Sequence, residues 1–182
     1  MQRSLESTFP RKGWSSVELY PLRSRLIKPG DSIGERLVEA LHESKLRLRH
    51  RDIVAVASKI VALTENALRD LSTVKVSAKA VRLGREYFMP ASFVQVVMDE
   101  ADMIYGGVKG ALLTLKDGEA VANAGVDQKN SPEGFAVVWP SNSDASAARL
   151  RAWAWRVLGK RIGVVVVDSR VTPLRQIGRA HV

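Results

Sequence analysis

Ile162-Gly163-Val164-Val165-Val166-Val167-Asp168 is the stretch on which the reading of this chain turns. It is short, unbroken in its apolar character and rich in β-branched side chains. That pattern predicts a strand covered on both faces, as in parallel sheets flanked by helices. In open α/β sheets ligands gather outside the carboxyl ends of the strands. Asp168 falls at such an end. A carboxylate there can hold Mg²⁺ or Mn²⁺ against phosphate oxygens, or it can simply cap a turn.

Working outward, Asp52 to Ala57 alternates around Ile53, Val54 and Val56 and reads as a second buried strand. Ser58-Lys59 closes it, as a polar turn or as a hydroxyl and ammonium facing phosphate. Ser58 to Leu63 is expected to continue as a turn or further strand, and Val17 to Leu22 as a short strand. Lys28-Pro29-Gly30-Asp31-Ser32 turns into a helix, with Ser32 and Glu35 at capping-box spacing. Helices are expected over Ser77 to Tyr87 and Ala91 to Ala101. Asp117-Gly118 between apolar runs predicts a hairpin, because a type I′ turn needs positive φ at both central residues. Phe135 to Trp139 reads as a strand closed by Pro140. Ser143 or Asp144 is expected to cap a helix that reaches Leu158 and stops at Gly159. On that helix Trp153 and Trp155 lie about 200° apart, so one of them faces outward. The predicted class is α/β (mixed α+β): a mixed sheet with flanking helices in one unit, preceded by a loose extension over residues 1–16.

Composition narrows the function classes. The chain has 182 residues, a net charge of +9 and no cysteine. Disulfides, thiolate metal sites and thiol nucleophiles are therefore excluded, and a cytoplasmic location is expected. No apolar run approaches the roughly 20 residues that cross a bilayer, so no membrane partner is expected. The positive charge suits anionic ligands. The basic run Lys45 to Arg51 reads as the solvated end of a helix. No P-loop is present, and Gly106-Gly107-Val108-Lys109-Gly110 fits no phosphate-binding pattern. His42, His50 and His181 are too scattered for a histidine metal site or triad.

Asn123-Ala124-Gly125-Val126-Asp127-Gln128-Lys129-Asn130 is loop-like: Asn and Gly tolerate unusual φ. That is one reading of the stretch; the other, functional one puts Asp127 on a hard cation as a second acidic ligand and Asn130 on a nucleotide or substrate.

Taken with Leu26-Ile27-Lys28-Pro29-Gly30-Asp31, these segments resemble the coenzyme F420-0:glutamate ligase (gamma-glutamyl ligase) family over about residues 17–175. The resemblance implies a gamma-glutamyl ligase-like fold. It also implies a GTP- and divalent-metal-dependent ligase that joins L-glutamate to the lactyl carboxylate of F420-0 through an acyl phosphate. Position by position, it implies Asp127 and Asp168 as ligands of Mg²⁺ or Mn²⁺. Leu26, Ile27, Ser58, Lys59, Asn130 and Ser169 match nucleotide contacts. A homodimer follows from the resemblance, and nucleic acid is not among the implied partners. Where many members carry a lysine, this chain has Leu63, so a phosphate-facing cation is missing or supplied by Lys59 or Lys109. Members continue beyond the Asp168 strand. Here Ile177-Gly178-Arg179-Ala180-His181-Val182 reads as one frame of a common sequencing adapter. Residues 177–182 are therefore expected to be a non-native tail on a truncated, inactive fragment. The alternatives are a basic nucleotide- or nucleic-acid-binding module, against which the scattered charges argue, and an amide ligase of the same fold acting on another carboxylate.

Overall fold

The computed structural model describes residues 17–129 and 131–168. It contains a parallel pair, β1 (Ile53–Ala57) and β7 (Gly163–Val167), in register from Ile53 opposite Gly163 to Ala57 opposite Val167. Both strands run the same way, so Ser58-Lys59 and Asp168 leave from the same end. The mixed α/β class holds, but the expected single mixed sheet does not form: among the described residues the strands fall into three small sheets, one parallel and two antiparallel, because each pairs only with the strands its own connections bring beside it. The others are an antiparallel pair, β2 (Leu68–Asp70) with β6 (Phe135–Val137), and a meander of β3 (Met103–Val108), β4 (Ala111–Lys116) and β5 (Glu119–Ala122).

Helix α1 (Ile33–Glu43) starts where the capping box places it, with Ser32 Oγ accepting from the Glu35 amide at 3.4 Å. It packs on α5 (Ser143–Leu158) so closely that a Cβ added to Gly34 would lie 2.4 Å from the Trp153 ring. Trp155 is the outward tryptophan, and the Arg161 guanidinium lies 4.8 Å over its ring. The cap of α5 is Asn142, one residue earlier than expected, whose Oδ1 accepts from the Ala145 amide at 2.8 Å. Gly159, at φ +63°, ends the helix as expected. The type I′ hairpin also forms, with Asp117 and Gly118 at φ +52° and +78°.

Helices α3 (Ala78–Glu86) and α4 (Ala91–Glu100) pack with the meander into the main core, where Phe93, Val94, Val96, Val97 and Leu112 are buried. Burial of side chains of this size contributes roughly 1.5–3 kcal/mol each.

Three other expectations change. Residues 17–22 form no strand; Val17, Leu19 and Tyr20 are exposed. Residues 58–64 form helix α2 (Ser58–Thr64), not a turn or strand. Its buried residues Ser58, Val61 and Ala62 follow an i, i+3, i+4 pattern, and so share one helical face. The β1–β7 pair is covered on one face only. Ile53 is 70% exposed, and Ala55, Ala57, Val165 and Val167 share that open face. A continuous valine run reports that both faces are apolar, not which of them this chain covers.

Candidate nucleotide and metal site

The residues Asn123-Ala124-Gly125 form one 3₁₀ turn with φ of +53°, +51° and +74°. A left-handed backbone costs an L-residue about 1–2 kcal/mol, so the turn needs external restraint. Asn123 Oδ1 accepts from the Leu112 amide, and the Ala124 amide donates to Thr114 Oγ1, each at 2.8 Å. Thr114 is fully buried, and its hydroxyl donates to the Val121 carbonyl at 2.6 Å. The meander therefore clamps the turn from one side. Trp139 clamps it from the other, since a Cβ on Gly125 would lie 2.3 Å from the indole.

The chain leaves this turn into Asp127, whose backbone pairs with Val137 through two hydrogen bonds of 2.8 and 2.9 Å. The Asp127 carboxylate is thus held on a fixed strand-like backbone. One oxygen accepts from the Lys59 ammonium, and the other from the Lys129 amide at 2.8 Å. Lys59 and Asp127 are each about one-third exposed, so solvent still reaches the pair.

Asp168 follows β7 and is exposed; its Oδ2 accepts from the Trp139 indole N–H at 3.0 Å. One indole therefore touches both the turn before Asp127 and the carboxylate of Asp168. Lys59 lies two residues beyond Ala57, which is paired with Val167. Ser58, Lys59, Asp127 and Asp168 are in this way brought to one end of the parallel pair. Ser58 is buried as the first residue of α2. Ile27 lines a cavity of about 120 Å³ together with Ala55, Val56, Ala57 and Ile60, beside the same strand end. Leu26 is 82% exposed. The loop that carries both is fastened by Gly30, whose amide donates to the Leu63 carbonyl at 3.2 Å. Lys109 lies elsewhere, at the tip of the β3–β4 hairpin. Asn130 and Ser169 lie outside the described residues.

The donor set fits a hard cation. Carboxylates are the available ligands, and among the described residues no cluster of three or more His, Cys, Asp or Glu could hold a metal. Mg²⁺ does not need such a cage: it commonly takes one or two carboxylates and completes its shell with water and substrate phosphates. Two residues of this site carry no sequence signal of their own. Trp139 reads as the end of a strand and Thr114 as an ordinary hairpin residue. Their roles come from cross-sheet contacts with Gly125, Asp168 and Ala124.

These features define a mixed α/β chain whose polar loops converge at the carboxyl end of a parallel strand pair. The F420-0:gamma-glutamyl ligase family profile matches residues 21–181, and the chain belongs to that family. Similar proteins include the coenzyme F420:L-glutamate ligase of Archaeoglobus fulgidus, 32% identical over 84% of this chain and 60% of that protein. Those of Methanopyrus kandleri (31% identical, 88% and 62%) and Methanocaldococcus jannaschii (30%, 88% and 63%) carry the same name. The chain therefore spans about three fifths of the length of these relatives. No described helix is long and apolar enough to cross a membrane.

Proposed function

We propose that this chain is the nucleotide- and metal-binding part of a GTP-dependent ligase that joins L-glutamate to the carboxylate of F420-0. The observation that carries the reading is the convergence of Ser58-Lys59, Asp127 and Asp168 at one end of the β1–β7 pair. The relatives' name supplies the reaction class.

In this reading the acceptor carboxylate attacks the γ-phosphorus of GTP, and GDP leaves. The amine of glutamate then attacks the acyl phosphate, loses a proton and expels inorganic phosphate. Asp127 and Asp168 would hold Mg²⁺ or Mn²⁺, which when bound offsets charge on the phosphates. Lys59 presents its ammonium to the phosphates and balances Asp127. Ser58 offers a hydroxyl at the strand end, and Ile27 shapes the apolar side of the nucleotide pocket. Asn130 and Ser169 complete the nucleotide contacts in this proposal. Trp139 fixes the Asp168 carboxylate through its N–H. Catalysis of phosphoryl transfer rests on positioning and charge, so these residues alone are expected to bind ligands without sustaining ligation. A homodimer in the cytoplasm belongs to the same reading; the apolar face of Ile53, Val165 and Val167 is a surface on which a second copy could pack.

The test is GTP binding by calorimetry with Mg²⁺ and with EDTA, on the wild-type chain and Asp168→Asn. The amide keeps an acceptor for Trp139 but loses the charge a hard cation needs. The expected result is a Mg²⁺-dependent gain in GTP affinity that the variant loses by about ten-fold or more. Equal affinities in both proteins, with and without Mg²⁺, would overturn the assignment.

A further inference from the structure

The hairpin tip that fits no phosphate pattern lies against an exposed aromatic ring. Phe88, in the turn between α3 and α4, is 73% exposed and sits at φ +56°. A bulky side chain in that region is a genuine backbone outlier. The Lys109 ammonium lies 5.4 Å from the centroid of its ring, within cation–π range. Tyr105 and Val108 add exposed apolar surface on the neighbouring strand.

The tip is held in place. The Gly110 amide donates to the Tyr87 carbonyl at 2.7 Å, and Gly110 takes φ +82°. Gly107 cannot carry a side chain, because a Cβ there would lie 2.4 Å from the Ala111 carbonyl oxygen. The hairpin that carries the tip also braces the turn before Asp127. Gly107 pairs with Leu112, whose amide is bonded to Asn123, the first residue of the turn that leads to Asp127. Lys109 is three residues from Leu112, no more than about 11 Å of extended chain. A continuous set of contacts thus runs from Asp168 through Trp139, Gly125, Asn123 and Leu112 to the tip.

We propose that Phe88 and Lys109 form a docking platform for the acceptor substrate. Its occupant is a flat heteroaromatic ring that carries anionic groups. The open face of Phe88 stacks on the ring, and Lys109 attracts its negative charge. The inference rests on the proposed ligase reading and extends it to the acceptor's place: the ring sits on the hairpin tip, and the anionic tail reaches toward Asp127.

The test titrates the wild-type chain with F420-0, followed by its intrinsic fluorescence, and with Mg²⁺-GTP by calorimetry. Phe88→Gly suits the left-handed backbone and removes the ring; Lys109→Ala removes the charge; Phe88→Tyr keeps the stacking surface. F420-0 affinity is expected to fall ten-fold or more in the first two variants and to stay within two-fold in Phe88→Tyr. GTP affinity should be unchanged in all three, and thermal melting should show each variant folded. F420-0 affinity unchanged in both Phe88→Gly and Lys109→Ala, or no F420-0 binding by the wild-type chain, would overturn the platform while leaving the GTP site standing. Ring-dependent F420-0 binding without any Mg²⁺-GTP binding would support the platform and count against the proposed nucleotide site.

Discussion

Gly125 lies against the face of Trp139, so that a Cβ on Gly125 would come within 2.3 Å of the indole. The same indole donates its N–H to Asp168. A backbone position before one carboxylate and the orientation of the other are therefore coupled through a single ring.

Gly125→Ala tests that coupling. The methyl group meets the indole, and the residue must also hold φ +74°. Overpacking costs about 1–3 kcal/mol and a left-handed backbone about 1–2 kcal/mol more. The expected loss is roughly 2–5 kcal/mol in urea denaturation, together with weakened Mn²⁺ binding because the displaced ring no longer holds Asp168. Trp139→Phe should relieve neither the φ cost nor the missing N–H, so the double variant should remain weak in Mn²⁺ binding. Wild-type stability in Gly125→Ala would show that the contact is not maintained in solution.

Lys59 is expected to act in opposite directions on metal and nucleotide. Its ammonium is bound to Asp127, and the pair is partly solvated, a setting in which ion pairs contribute about 0.2–1 kcal/mol. In Lys59→Ala the carboxylate is released to a cation. Mn²⁺ affinity without nucleotide should rise roughly two- to five-fold, while GTP affinity falls roughly ten-fold with the loss of a charge-assisted bond. Paramagnetic resonance of Mn²⁺ and calorimetry with GTP check the two signs. A fall in both would mean that Lys59 supports the fold of the site and does not compete with the cation.

The loop that carries Leu26 and Ile27 is closed by Asp31, whose carboxylate accepts from the Lys28 amide at 2.9 Å and from Arg36 Nε at 3.1 Å. The Lys28 amide bond first, and Arg36 second, hold its pKa below the ordinary aspartate value. A depressed carboxylate stabilises the fold fully above its unfolded pKa and loses that contribution as pH falls through the folded one. The acid limb of the thermal stability curve below about pH 4 should therefore contain a component that Asp31→Asn removes. An identical acid limb in wild type and variant would show that the loop is not linked to this titration.

Much of the local structure was legible from the chain alone, and for simple reasons. Ser32 with Glu35, Asp117-Gly118 and Gly159 specify a helix start, a turn and a helix stop through their own backbone and side-chain geometry. No distant residue is needed for any of them. Asp127 and Asp168 could be singled out because strand ends are where polar side chains remain open to ligands. The helix over Ser58–Thr64 was harder to see. Its buried face of Ser58, Val61 and Ala62 is short, and the preceding strand Ile53–Ala57 draws the eye to continued alternation.

Local patterns report what a residue prefers, not which distant surface meets it. The sequence by itself determined the strand character of Ile53–Ala57 and Gly163–Val167, the caps and turns, and the presence of carboxylates after two apolar segments. Only the tertiary structure decided that these strands lie parallel and in register, so that Ala57 faces Val167 and their following loops share one end. It also decided that Lys59 meets Asp127, that Trp139 joins Gly125 to Asp168, and that Thr114 clamps Ala124. Each contact links residues at least ten positions apart and belongs to no short-range period. Such pairings are selected by packing and by the need to satisfy buried polar groups across the whole fold.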